Sequence, residues 1–298
     1  MRLKHAVVAI TGAGQGIGRH LALEFAKEGA EIAISDVTAE RVADTATLVR
    51  ALGVEPLVMG CDVAKFDEME GFAAGVADRF GHADVMVNNA GVAMLGTFDE
   101  IEIDEFAWLM NINFWGSVHA AKAFLPLLRV TGHEARLALI SSVFGFFAPA
   151  GNGPYAASKF AVRGFGESLY NELLAGPVGV TLVHPGGIST GIARSARVPR
   201  NLSTTSATAQ HDRFDTLAET TPQQAARTIV DGIKANRRRI LIGNDAKIID
   251  IVSRLLPMRV YELFVSRISP EPTPLIAPAP VSVAPGVVET RTPSAVGI

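Results

Sequence analysis

Cysteine is all but missing from these 298 residues. Cys61 stands alone, so no disulfide can form within the chain, and a reducing compartment, the cytoplasm, is the expected location. Charge is scarce too. Only 19% of residues carry it, the formal net is −3 and the pI is about 6.2. No basic field is available for nucleic acid, which is excluded as a partner. No uncharged apolar run approaches the roughly 20 residues that cross a bilayer. The opening Met1-Arg2-Leu3-Lys4-His5 passes straight into a strand-like run without a secretory core and cleavage pattern. No Gly-Lys-Ser/Thr is present, which argues against a nucleoside-triphosphate loop, and no metal ligands are expected.

What the chain has in quantity is apolar residues, 48%, and 28 glycines, enough for one large core. Short β-branched runs (Ala6–Thr11, Glu31–Asp36, Val54–Gly60, Asp84–Asn88, Arg136–Ser142, Val178–His184, Arg239–Ile242) alternate with helix-period segments. The helices are expected at Ile17–Glu28, Ala39–Leu52, Lys65–Arg79, Asp104–Arg129, Pro154–Leu174 and Pro222–Ala235. Several strands are almost wholly apolar, as parallel strands covered on both faces should be. The pattern predicts an α/β doubly wound parallel sheet of Rossmann type, one domain over 1–244. Within it, 194–221 is polar and without period, and reads as a substrate-covering loop. Residues 245–268 read as an amphipathic helical extension packed on the domain or on a subunit neighbour; contact with a membrane surface is the less favoured alternative. From 269 to 298 the composition is Pro-rich and predicts a disordered tail.

The first strand runs into Thr11-Gly12-Ala13-Gly14-Gln15-Gly16-Ile17-Gly18. Glycines there let the backbone turn tightly against a pyrophosphate at a helix N-terminus. Asp36 closes the second strand about twenty residues on, where a carboxylate accepts ribose hydroxyls and repels a 2′-phosphate. Positions for a cation that would welcome that phosphate hold Gln15 and Val37, so NAD is expected over NADP. Arg19 can reach a pyrophosphate or face solvent. Asp62, beside Val63 after the third strand, can reach an adenine amino group or cap a helix. Further along, Tyr155 and Lys159 lie four apart on a predicted helix, one turn from each other. An ammonium beside a phenol favours the phenolate, so the pair suits proton exchange at a substrate oxygen. A surface Lys and a half-buried Tyr would give the same spacing.

With these pieces in place, the chain closely resembles the short-chain dehydrogenase/reductase family over roughly residues 5–243. The residues that carry the resemblance are Thr11–Gly18, Asn88-Asn89-Ala90-Gly91, Asn113, Ser142 thirteen residues before Tyr155, the Tyr155/Lys159 pair and Pro185-Gly186-Gly187-Ile188-Ser189-Thr190. The resemblance implies that Tyr155 is the acid/base and that Lys159 favours its phenolate and bonds the nicotinamide ribose. It implies that Ser142 donates to the substrate oxygen and that Asn113 helps hold a water linking Lys159 to solvent. It also implies a cofactor site over Thr11, Gly12, Gly16, Ile17, Gly18, Asp36, Asp62, Val63, Asn89, Ala90, Gly91, Tyr155, Lys159, Pro185, Gly186, Ile188 and Thr190, and a homodimer or homotetramer.

For the substrate, Phe144, Phe146, Phe147, Ala148 and Pro149 are expected to border an apolar space with Met94, Leu95 and Trp115. Arg194, Arg197, Arg200 and His211 in the covering loop leave room for an anionic group. A lipophilic secondary alcohol or its ketone is the expected substrate. The alternatives are an NADPH-dependent 3-oxoacyl thioester reductase and a dinucleotide-sensing regulator without turnover; the intact Ser142, Tyr155 and Lys159 weigh against the latter.

Overall fold

The computed structural model describes residues 1–189, 196–197, 199–200 and 220–256. Thr190, Arg194, His211, most of the 194–221 loop, the second half of 245–268 and the 269–298 tail lie outside the described residues. Seven parallel strands form one sheet in the order β3-β2-β1-β4-β5-β6-β7. They are β1 Val7–Thr11, β2 Glu31–Asp36, β3 Leu57–Gly60, β4 Val85–Asn88, β5 Ala135–Ile140, β6 Val178–Pro185 and β7 Arg239–Ile242. Strand order reverses between β1 and β4. The crevice beyond their carboxyl ends is where ligands bind in such sheets.

Strand alternation sorts the core into two layers. Val8 and Ile10 of β1 point to one face and pack with α1 (Gly16–Lys27), α2 (Ala43–Arg50) and α7 (Pro222–Lys234). Val7 and Ala9 point to the other, toward α3 (Phe66–Phe80), α5 (Gly116–Arg129) and α6 (Gly153–Glu172). Helix starts follow local chemistry. Thr221 accepts from Gln224 N at 3.2 Å while Gln224 returns to Thr221 N at 2.9 Å, a capping box with Pro222 in the first turn.

Three expected elements differ. Ala39–Leu52 divides into a 3₁₀ turn, Ala39–Val42, and α2. The segment expected as one helix, Asp104–Arg129, comprises α4 (Ile103–Met110), a π turn over Asn111–Trp115, and α5. The wide turn leaves the Asn113 carbonyl to accept from Ser117 Oγ at 2.8 Å. The C-terminal α8 (Asn244–Leu255) buries Ala246 and Ile249, whereas Ile248, Ile251 and Leu255, which share the apolar period, are exposed. No helix among the described residues is long and apolar enough to cross a membrane.

Phe124 is fully buried in the second layer, edge-on to Phe72 with ring centroids 5.5 Å apart. Phe124→Ala should cost about 3–5 kcal/mol in urea unfolding. A loss below about 1 kcal/mol would mean that this layer does not hold the sheet.

Candidate active site

The crevice is built where β1 and β4 diverge. Thr11 Oγ1 accepts from the amides of Asn89 and Ala90, both at 3.1 Å, and Asn89 Nδ2 donates to the carbonyls of Thr11 and Gly12, both at 3.0 Å. Thr11 and Asn89 therefore join the two loops to each other. Gly12 has φ +63°, and a Cβ there would lie 2.7 Å from Ala90 Cα; one on Gly18 would lie 2.2 Å from the Gly12 carbonyl oxygen. These glycines let the two loops and the start of α1 approach closely, a glycine turn at a helix N-terminus that fits a dinucleotide pyrophosphate. A Cβ on Gly91 would press within 3.4 Å of Lys159 Nζ. Ile17 and Ile188 are apolar packing residues in the first core layer, and Pro185 ends β6.

Asp36 stands at the crevice rim. Its carboxylate accepts from Gly14 N at 3.0 Å and Val37 N at 2.9 Å, and Arg41 Nε lies 3.1 Å away. Arg41 is the cation that reading only Gln15 and Val37 overlooked. It lies five residues on, and the 3₁₀ turn folds it back. Arg19, part-exposed, donates to Thr45 Oγ1 and to the Gly14 carbonyl, bracing the glycine turn. Asp62 is not the cap of α3, a place held by Lys65; it accepts from Ala64 N at 3.1 Å in a local turn. Val63 fills the space left by Gly116, where a Cβ would come within 2.8 Å of it.

Tyr155, Lys159, Ser142 and Asn113 converge. Ser142 does not end a strand: β5 stops at Ile140, and Ser142 caps the turn Val143–Gly145, its Oγ accepting from Phe144 N at 3.2 Å. It is also the side chain that acts on the Tyr155 phenol. Ser141 faces away and donates to the Lys159 carbonyl at 2.9 Å. Burial pushes the Tyr155 phenol up, and the Ser142 hydrogen bond works against that rise. Burial lowers Lys159 to about 8; its Nζ donates to the Ile140 carbonyl at 3.0 Å and lies 5.6 Å from the Tyr155 ring centroid. Ser142 thus bears on the phenol, with Lys159 over the face of its ring. Asn113 spends its side chain on both backbone groups of Val92, at 2.9 and 3.0 Å, and on Ser158 Oγ at 3.0 Å. Ser158 in turn donates to the Tyr155 carbonyl at 2.7 Å.

A cavity of about 210 Å³ is lined by Phe98, Ile101, Phe106, Ala148, Pro149 and Pro154 among others, reaching the residue before Tyr155 but lined by neither Tyr155 nor Ser142. Of the five residues expected after Ser142, only Ala148 and Pro149 line it. Phe144 and Phe147 pack with Tyr155 and α8, and Phe146 lies against His184 and under the guanidinium groups of Arg163 and Arg239. Met94 is fully buried, while Trp115 is half exposed beside Phe114 and His119. Two arginines of the 194–221 segment are already paired. Arg200 bonds Asp104 and lies 3.4 Å from Glu105, and Arg197 Nε lies 3.7 Å from the same buried Glu105 while stacking on Trp108.

A seven-stranded doubly wound sheet with a glycine turn at its switch point and a Ser–Tyr–Lys group defines a dinucleotide-dependent oxidoreductase. A family model described as short chain dehydrogenase matches residues 6–201. SadH of Mycobacterium tuberculosis, named only as an oxidoreductase, is 40% identical over 252 residues, 84% of this chain and 90% of its own. The 1-deoxy-11-beta-hydroxypentalenate dehydrogenase of Streptomyces avermitilis is 31% identical over 205 residues, 67% of this chain and 75% of that one. A short-chain dehydrogenase/reductase from Burkholderia phymatum, solved in complex with NAD, superposes with a TM-score of 0.78 at 27% identity, covering 89% of this chain and 96% of its own. The chain belongs to the short-chain dehydrogenase/reductase family.

His184, beside this group on β6, donates from Nδ1 to the Ser142 carbonyl at 3.3 Å. Burial first, and then the Arg239 charge, pushes it down to about 3. The unfolded chain takes up this proton near pH 6.5 and the folded chain only near 3. The stability tied to a neutral His184 is therefore complete above pH 6.5 and drains away as the pH falls, by about 2 kcal/mol between pH 7 and 5. His184→Asn keeps a donor for Ser142 and cannot titrate. Its urea midpoint should fall less steeply over that range; parallel curves for the two proteins would refute the assignment.

Proposed function

We propose that the protein interconverts a lipophilic secondary alcohol and its ketone with NAD(H), using Tyr155 as acid/base. One observation carries this reading. Ser142, Tyr155 and Lys159 come together, with Lys159 buried and its Nζ 5.6 Å from the Tyr155 ring, and an apolar cavity begins at Pro154, the residue before Tyr155. In oxidation Tyr155, as phenolate, takes the hydroxyl proton. Ser142 has one lone pair occupied by Phe144 N–H and turns its own proton toward the substrate oxygen. Lys159 favours the phenolate by its charge, and Asn113, through Val92 and Ser158, positions the Tyr155 backbone. The nicotinamide, when bound, supplies or accepts the hydride.

Support for an uncharged substrate comes from the cavity lining and from Arg197 and Arg200, whose charges meet Asp104 and Glu105. An alcohol also agrees with a relative named for dehydrogenating a hydroxy compound. NAD is favoured because Asp36 already gathers two amides at the place of the ribose. Arg41 gives the NADPH reading, and with it the thioester reductase, its one supporting observation. In this proposal residues 1–244 are the catalytic unit, 194–221 covers the substrate and 245–268 is an extension. The assembly is a cytoplasmic homo-oligomer joined through α5 with the π turn before it and through α6, where Trp115 and Phe160 are exposed. Cys61, buried and pushed up to about 12, fits such a place as an inert thiol.

A panel of secondary alcohols and ketones with both cofactors, followed at 340 nm, tests the activity. Tyr155→Phe should lower kcat by about 10²–10⁴-fold; undiminished turnover would sink the mechanism, and tighter binding of NADP than of NAD would overturn the role given to Asp36. Oxidation needs the phenolate, so its rate should rise with pH through the titration of the pair while reduction falls. Lys159→Met removes the cation that favours the phenolate and should move the inflection to higher pH; an unmoved inflection would exclude Lys159 from the titration.

A further inference from the structure

Asp245, in the first turn of α8, was not singled out by any motif, yet it occupies the centre of the loop that follows β6. Its Oδ2 accepts from Gly187 N at 2.6 Å. A Cβ on Gly186 would come within 2.1 Å of the same carboxylate, and one on Gly243, whose φ is +94°, within 2.2 Å. Two glycines from separate segments thus leave room for one carboxylate, and a third gives it an amide. The loop is tied on its other sides as well. Gly186 N donates to the Ile242 carbonyl at 2.9 Å, and Ser189 N to the Thr220 carbonyl at 2.9 Å.

The helix that presents Asp245 is itself anchored. Asp250 accepts from Arg239 Nη1 at 2.9 Å and from Arg254 Nε at 2.9 Å. On its inner face Ala246 and Ile249 pack with Val143, Phe144, Phe147 and Ala156, the cluster that also holds Tyr155. One rigid element therefore supports the turn that carries Ser142 and the loop that begins at Pro185.

We infer that Asp245 is a positioning residue for the nicotinamide end of the cofactor. It holds the Gly186–Gly187 backbone in the shape that lets residues 185–189 lie against the ring, while the adenosine end is gripped independently at β1 and β2. This rests on the proposed cofactor site, in which the loop after β6 covers the nicotinamide. A carboxylate that merely started a helix would need neither the Gly187 amide nor the two glycines that face it.

The test uses the full chain and two probes: NADH, followed by its fluorescence, and ADP-ribose, which lacks the nicotinamide, followed calorimetrically. Asp245→Ser keeps a residue that suits a helix start but falls short of Gly187. It should bind NADH about tenfold more weakly, the cost of one charge-assisted hydrogen bond, and ADP-ribose as the parent does. Asp245→Asn retains the acceptor and should restore NADH affinity to within about threefold. Equal losses for both probes, or no loss in Asp245→Ser, would overturn the inference, the first by making Asp245 a general structural residue. Failure of the unaltered protein to bind NADH would instead overturn the cofactor reading beneath it. A thermal midpoint for Asp245→Ser close to the parent's accompanies the expected result. Should that variant not fold, a tenfold loss of NADH affinity in Asp245→Asn would overturn the claim that the acceptor, rather than the charge, is what matters.

Discussion

A parallel sheet can open a crevice only if two adjacent strands send their chains to opposite faces, and the parting leaves backbone amides without strand partners. Here the Thr11 hydroxyl meets that demand. It takes the first two amides beyond β4, and Asn89 returns its own amide group to the carbonyls of Thr11 and Gly12. An unsatisfied buried amide costs on the order of 1–3 kcal/mol, so two of them at one divergence would weigh heavily on a marginally stable domain. The glycine turn, the Gly91 approach to Lys159 and the Asn113 tie to Val92 all build on a seam that is already closed.

The reacting groups follow the opposite logic. Lys159 is kept away from water and Tyr155 is half-buried, and burial works against the charged form of each. Such groups are held in register by partners that have no chemistry of their own: the Ile140 carbonyl, Ser158, Asn113 and the capped turn at Ser142. The aromatic residues after Ser142 belong to this support. Phe146 fills the space between two guanidinium groups and an imidazole, which leaves the turn little room to shift.

Period and motif made the sheet, its parallel sense and the convergence of Ser142, Tyr155 and Lys159 legible before any coordinates, because each depends on residues close in sequence or on strict alternation. Side-chain destinations were less legible. Arg19 and Arg41 both lie near the glycine turn, and nothing local distinguishes the one that braces it from the one that meets Asp36. The run Phe144–Pro149 reads as uniformly apolar, yet a tight turn sends its phenylalanines inward and only Ala148 and Pro149 to the cavity. The pairing of Glu105 with Arg197 and Arg200 spans more than ninety residues and leaves no trace in spacing. The π turn at Asn113 escaped for a related reason: its apolar stripe is nearly that of an ordinary helix.

The double duty of Asp36 bears on how this protein could change over evolutionary time. The carboxylate proposed to discriminate between the two dinucleotides is also the acceptor that holds Gly14, inside the turn the pyrophosphate is proposed to occupy. Its replacement by a smaller neutral residue would free Arg41 for a phosphate but strand the Gly14 amide. Cofactor preference and the shape of the phosphate turn are thus inherited together. A lineage drifting from one dinucleotide to the other would have to acquire a substitute acceptor first.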